Sequence, residues 1–516
     1  MTLLETALLH LQAAWDSHPY LLLSIPLVLY LLVSNVKSYF KLRHFNGPLW
    51  AHFTYYWFVS KVFRARMLNT LQELSDKYGP ICRVGPNDLL VGDFDEVVRI
   101  NGVRSPYVKS DWYTTIRFDV DGGDSVVSLM DTAEHDVRKA KLIKGYEGRG
   151  RGQDKGWMDK VVDKQLVELV RLLREKYVKQ GRRINWTDVV RYFSVDVTME
   201  ALMGEAWGDL QTDSDIHKFF EMSDYSVPFM HTVGSWGSLR WLTSSWWFIR
   251  KAGPRVTDDH GLGKFIGIVK KEVAKRFSDP EAKKGDMLYD WVSQGLTPRE
   301  CELDLVLGVI ASADTVAVPM RTIFLYLITS PLVYAKLKAE ITAAIKAGTI
   351  SEPITNQEAL KLPYMQAVIH EGLRMMPISA FGFPKRVPSK GDMMCGQHVP
   401  GGTDIFPNNL AIQRSKKVFG DDADVFQPER WLIENTRGAE HRSLMVRHIE
   451  VIFGHGRWQC PGRMLAWVEL NKIFVELLRN FDFQVANPRD PWKLSVYSSV
   501  CVHEFWVNAT EAKQQW

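Results

Sequence analysis

The chain has 516 residues with a formal net charge of +4, 46% hydrophobic residues and five cysteines. A mean hydropathy of −0.16 excludes a protein of many membrane spans, and so small a charge on so long a chain gives no reason to expect nucleic acid as a partner. An odd number of widely spaced cysteines argues against a disulfide framework and for a reducing compartment.

The first signal in chain order is Tyr20 to Val36, nearly all apolar and uncharged, followed by Lys37, Lys41, Arg43 and His44. It falls just short of the ~20 residues a helix needs to cross a bilayer, and Tyr39-Phe40 extends its interfacial end. A cleaved signal peptide is the rival reading, but that requires a positive start where Glu5 and Asp16 stand. The basic flank predicts that the bulk of the chain lies on the cytoplasmic side. Residues 1–45 therefore read as a membrane anchor with its basic flank, and 46–516 as one catalytic domain, since no linker divides them.

Cys82 to Gly92 predicts a hairpin turning at Gly85-Pro86-Asn87. Most of the remainder carries a 3.6-residue period, so the fold class is mostly α with a small β region. The clearest helix begins at Thr297-Pro298-Arg299-Glu300, a capping box with proline in the first turn, and its apolar pattern runs to Ser330-Pro331. That is about 32 residues, or roughly 48 Å at 1.5 Å per residue. Midway, the Thr315 hydroxyl is placed to bond the Ala311 carbonyl, and Pro319 lacks the N–H that would pair with the Thr315 carbonyl. Both loosen the ladder at one point, opening a groove in which Asp314 and Thr315 can handle protons. Further on, Glu371 and Arg374 share a helix face at i, i+3.

The run Phe453-Gly454-His455-Gly456-Arg457-Trp458-Gln459-Cys460-Pro461-Gly462 sets a lone cysteine in a glycine-rich loop at a helix start. A thiolate is the metal-binding form, so the usual pKa of ~8.5 must fall. With Pro461 as first helical residue, Cys460 stands at or beside the N-cap, where unpaired N–H groups and the helix dipole favour a negative sulfur by ~0.3 to 1 kcal/mol. Gly454, Gly456 and Gly462 permit close approach of a flat cofactor. Cys82, Cys301, Cys395 and Cys501 show no C-x-x-C spacing, so haem iron is favoured over zinc.

This run resembles the haem-binding signature of the cytochromes P-450, F-x-x-G-x-R-x-C-x-G, with Phe453, Gly456, Cys460 and Gly462 in register and Cys460 in the place of the proximal ligand. Ala311 to Thr315 is similar to the family's oxygen-activation segment, with Ser312 where glycine is usual. Glu371-Gly-Leu-Arg374 and Phe426-Gln-Pro428-Glu429-Arg430-Trp431 resemble its E-x-x-R and P-E-R-F motifs, in which Arg430 would join the first pair in a structural network. Gly396 to Thr403 looks like the hairpin between them.

The resemblance implies the cytochrome P-450 fold, haem b, and a monooxygenase that hydroxylates or O-demethylates an apolar small molecule with dioxygen. It also implies an NADPH-dependent flavoprotein reductase as electron donor, membrane lipid as a partner, and a single-pass place in the endoplasmic reticulum membrane with the catalytic domain cytosolic. Two rivals stay open: an oxygen-independent isomerase or dehydratase, and a non-catalytic haem sensor. The segment from Arg104 to Tyr113, with Gly145-Tyr146, is similar to the pisatin demethylase-like group and so implies a fungal secondary-metabolite enzyme.

Three places in the family supply cations to the haem propionates, and all are altered here. Trp458 stands where arginine is usual, with Arg457 one position earlier; Pro384-Lys385-Arg386 replaces a Pro-Arg pair; His135 and Lys139 align with a W-x-x-x-R pattern. Tyr225 to Phe248, with four tryptophans, falls at the family's substrate lid. Lys139, Lys141, Lys144, Arg149, Arg151 and Arg463 are the candidate docking surface for the reductase.

Overall fold

Thr297 starts the helical run that organises the domain. Its hydroxyl accepts from the Glu300 amide at 3.3 Å while the Glu300 carboxylate accepts the Thr297 amide at 2.8 Å, the reciprocal cap expected of this sequence. The computed structural model describes residues 33–34, 36–148, 156–279 and 285–513. The run is not one helix: Pro298–Thr315 breaks at Val316 and resumes as Ala317–Ile328. The cause is local, because the Thr315 hydroxyl takes the Ala311 carbonyl at 2.6 Å and Pro319 has no N–H to continue the ladder.

This broken helix packs on Trp186–Met203, which is buried on nearly every side. Among the described residues, Pro298–Ile328 is the one stretch long and apolar enough to cross a membrane, yet 61% of its most apolar window is buried among other helices. It is a core helix here. Of the predicted anchor and its flank, residues 1–32 and 35 lie outside the described residues.

The β structure is small and peripheral. Ile81–Gly85 pairs antiparallel with Asp88–Val91 as the predicted hairpin, with Pro86 and Asn87 in the turn. Asp88–Val91 then runs parallel to Asp404–Pro407, which pairs with Lys385–Arg386, and that strand pairs with Val108–Lys109 at the edge. The hairpin expected at Gly396 to Thr403 begins earlier: Asp392–Met394 pairs with Gln397–Val399 around Cys395-Gly396, and the chain after Gly402 joins the larger sheet. A third sheet forms on the long strand Val500–Glu511.

Candidate active site

Phe453 begins the cysteine loop and closes it, since its carbonyl accepts the Cys460 amide at 2.6 Å. Two glycines let the intervening chain turn: Gly454 and Gly456 have φ of +74° and +57°. A Cβ at Gly454 would lie 2.6 Å from the Trp458 carbonyl oxygen, and one at Gly456 2.4 Å from that of Asn101. No other residue fits either place.

The following helix is Arg463–Asn480 with Gly462 as N-cap, so Pro461 precedes the helix instead of opening it, and the helix starts two residues later than Pro461 suggests, with Cys460 two residues before the N-cap. The dipole still reaches it. Burial pushes the Cys460 thiol up, while the Gly462 and Arg463 N–H groups and the charges of Lys139 and Arg463 pull it down. The cysteine is nevertheless exposed. A group both crowded and accessible sits on the floor of a cleft.

A cationic rim stands beside it. Lys139, one turn after His135 on the helix Thr132–Tyr146, donates to the Arg457 and Gln459 carbonyls at 2.6 and 2.5 Å and so grips the cysteine loop. His135 packs its ring 4.7 Å from that of Trp458. Burial depresses the imidazole to about 4, so it is neutral at ordinary pH. Lys385 donates to the Tyr113 hydroxyl and lies 4.5 Å from the Trp458 ring centroid. Sequence reasoning missed a third lysine: Lys109 stands 5.3 Å from the same ring and caps the carbonyls of Val126, Val127 and Leu129 at 2.8 to 2.9 Å.

Lys109 and Lys385 are direct cross-strand partners, an arrangement of like charges that is unfavourable by itself. Burial depresses Lys109 to about 7 and Lys139 to about 8, and burial with the charges of Lys109 and Lys139 holds Lys385 well below the usual lysine value. None of the three has a carboxylate ion-pair partner among the described residues, and the buried Trp458 indole N–H is unpartnered. Three lysines whose charged forms burial disfavours, beside an orphan N–H, suit an anion that would restore their charge, and haem propionates would supply one.

Two predicted cations point elsewhere. Arg386 alternates to the other strand face and pairs with Asp404 and Asp111, each at 2.9 Å. Arg457 turns to the Val103 carbonyl and to Asp136, 3.7 Å away. If the rim holds an anionic cofactor, Lys109→Met and Lys385→Met proteins will each lose haem to a scavenging apoprotein about tenfold faster, the rate equivalent of about 1.4 kcal/mol. Their reduced carbon monoxide spectra will remain of thiolate type.

Along the broken helix, Ala311 and Thr315 are exposed while their neighbours Val309, Ala313 and Val316 are buried. One turn apart on one face, they line an opening. Asp314 is not a free acid: the Arg191 Nε lies 2.8 Å from its carboxylate and the Arg321 guanidinium 3.4 Å. Burial alone would raise this carboxyl, but the two guanidiniums outweigh it and hold it below the usual carboxylate range. Arg191 also binds Asp224 at 2.6 Å, so the acid of the groove is tied to the helix Phe219–Gly234. Asp314→Ala will leave two guanidiniums facing each other and cost about 1–3 kcal/mol, while Asp314→Asn will cost less, as read by thermal unfolding. The side chain is 29% exposed, which keeps the figure modest.

Glu371, Arg374 and Arg430 meet with no solvent between them. Arg374 forks onto Glu371 at 2.8 and 2.9 Å, Arg430 reaches the same carboxylate at 3.0 Å, and the Trp431 indole and Gln427 amide complete it at 2.9 and 2.8 Å. Arg374 also gathers the carbonyls of Gln413, Ala423 and Val425. The network binds the helix Pro363–Met375 to the segment that leads to the cysteine loop.

The cytochrome P450 family pattern matches residues 45–503. The cytochrome P450 monooxygenase ABA1 of Pyricularia oryzae is 36% identical over 495 residues, covering 93% of this chain and 95% of that protein. The cytochrome P450 monooxygenase aba1 of Botryotinia fuckeliana is 33% identical over 479 residues, 92% of each. The cytochrome P450 monooxygenase abl1 of Leptosphaeria maculans is 33% identical over 484 residues, 92% of this chain and 84% of that protein. A match running through both the broken helix and the cysteine loop leaves one conclusion: the chain belongs to the cytochrome P450 family and is a monooxygenase carrying haem b bound through a thiolate.

Proposed function

We propose that this monooxygenase hydroxylates or O-demethylates an apolar small molecule of fungal secondary metabolism, with Cys460 as the thiolate ligand. The observations that carry the reading are the accessible but crowded Cys460 and the exposed Ala311 and Thr315 in the middle of a mostly buried helix. Cys460 would hold a flat cofactor through its sulfur, and Ala311 and Thr315 would offer the groove beside it. When bound, haem supplies dioxygen activation, promoted by electron donation from the thiolate.

The chain's own residues supply the rest. Gly462 and Arg463 N–H groups steady the sulfur's charge. Lys139, Lys385 and the Trp458 indole N–H would hold the propionates, with Lys109, its donors taken by three carbonyls, adding its charge beside them. The Thr315 hydroxyl, satisfied by the Ala311 carbonyl, presents its oxygen to the groove and passes protons there, while Asp314 holds Arg191 and Arg321 in place and relays from behind.

Electrons come from an NADPH-dependent flavoprotein reductase, and the N-terminal segment anchors the enzyme in the endoplasmic reticulum membrane with its domain cytosolic. Trp241, Trp247 and Tyr225 are 73%, 66% and 78% exposed, large rings suited to a bilayer interface. The docking surface needs one amendment: Lys139 is buried against the cysteine loop, leaving Lys141, Lys144 and Arg463 as its described basic residues. Reduction by the reductase will slow as salt rises; a rate indifferent to ionic strength counts against this surface. The spectrum of the reduced carbon monoxide complex tests the whole reading. A thiolate-type band is the expected result, and a histidine-type band removes Cys460 from its role.

A further inference from the structure

Across the strand Lys385–Arg386 from the lysine rim lies a second space, a cavity of about 430 Å³ open to the surface and lined by Asp111, Thr114, Arg117, Arg240, Trp241 and Arg386 among others. A short 3-10 helix of two turns, Asp111–Ile116, stands between the cavity and the rim. Asp111 and Thr114 face the cavity. Trp112 and Tyr113 face the other way: Trp112 packs 5.2 Å from the Phe383 ring, and the Tyr113 hydroxyl meets Lys385 of the cationic rim.

What holds this partition is Arg240, on the short helix Gly237–Thr243 of the lid. The side chain is buried, 4% exposed, and reaches three elements: Asp404 at 3.3 Å and Asp88 at 3.5 Å on neighbouring strands, and the Ser110 hydroxyl at 3.4 Å, just before the partition turn. Gly237 lets the lid helix lie this close, since a Cβ there would stand 2.6 Å from the Tyr55 ring.

These contacts are unlike those of the Glu371 network. Charge-assisted bonds prefer about 2.7–2.9 Å, and the Arg240 contacts are stretched beyond that. The Arg240 Nε and one Asp88 carboxylate oxygen are buried without a partner. Charges taken out of water and incompletely bonded hold a structure closed at little gain, which is what a joint that opens requires.

We propose that Arg240 is the latch of the substrate entrance: it clamps the lid helix and the partition turn to the sheet, and substrate passes from the cavity to the cysteine cleft when the clamp lets go. The inference rests on the reading of Cys460 as a haem ligand. A latch acts on rates of passage in both directions and leaves equilibrium affinity nearly alone.

The test is stopped-flow binding of clotrimazole, a bulky azole whose nitrogen ligates haem iron, beside carbon monoxide recombination as the small-ligand control. In Arg240→Met protein, clotrimazole association and dissociation will both rise about tenfold, the effect of about 1.4 kcal/mol off the barrier, while carbon monoxide recombination stays as in the parent. Arg240→Lys keeps the charge without the fork and will fall between the two. Unchanged clotrimazole rates in haem-loaded Arg240→Met overturn the proposal, as does an equal acceleration of both ligands. If Arg240→Met yields no haem-loaded protein, Arg240→Lys decides, and parental rates there overturn it. A missing thiolate-type band in the parent would instead reject the reading of Cys460, and it is seen before any azole is added.

Discussion

Arg374→Ala protein will accumulate little haem-loaded material. The substitution leaves Glu371 fully buried with its forked partner gone, and strands the carbonyls of Gln413 and Ala423. Breaking one partner out of a buried pair costs about 3–5 kcal/mol, against a total stability of about 5–15 kcal/mol for a typical domain. Arg430 and Trp431 remain on the carboxylate, and Arg430 still donates to the Val425 carbonyl at 3.3 Å, yet neither reaches the carbonyls of Gln413 and Ala423. Lysine does not rescue, because a point charge cannot fork onto Glu371 and cap carbonyls together. The measurement is the thiolate-type signal per milligram of soluble protein, with thermal unfolding beside it. Arg99→Ala, at a 45% exposed pair, is the matched control and will shift stability by less than about 1 kcal/mol. An Arg374→Ala protein that melts with its parent shows that the network is dispensable.

Cys460→His is expected to separate fold from chemistry. The loop is fixed by the Cys460 amide on the Phe453 carbonyl and by Lys139 on two carbonyls, contacts that a new side chain does not touch. Haem retention will weaken without vanishing, since the lysine rim is intact. The reduced carbon monoxide band will become histidine-type and oxidation with reductase and NADPH will fall to background, because electron donation from sulfur is lost. Full turnover by this variant would falsify the role given to Cys460.

Local chemistry made much of this legible in the sequence. Thr297, Pro298 and Glu300 cap a helix wherever they occur in that order, and Gly454 and Gly456 mark a turn because only glycine fits it. The rest depends on pairing between distant segments. Lys109 joins the rim only because a two-residue strand sets it opposite Lys385, and no periodicity announces so short a strand. The same pairing explains why Lys385 and Arg386, adjacent in sequence, part company: alternation sends one to the rim and the other to Asp404. Arg191 left a usable sign, a cation in Val189-Val190-Arg191-Tyr192-Phe193, where burial demands a carboxylate. Which carboxylate it finds, Asp314 and Asp224 together, is settled by helix packing.

The edge strand Val108–Lys109 couples the turn Asp111–Ile116 that follows it to the filling of the haem site. Its few backbone bonds set two buried lysines face to face, where burial and their mutual repulsion discourage both from charging, and an anion lying across them would let both carry charge and tighten the edge. Cells short of iron should therefore yield a chain whose aromatic turn at 111–116 is frayed and open to proteases, and refilling it with haem should restore resistance there before anywhere else.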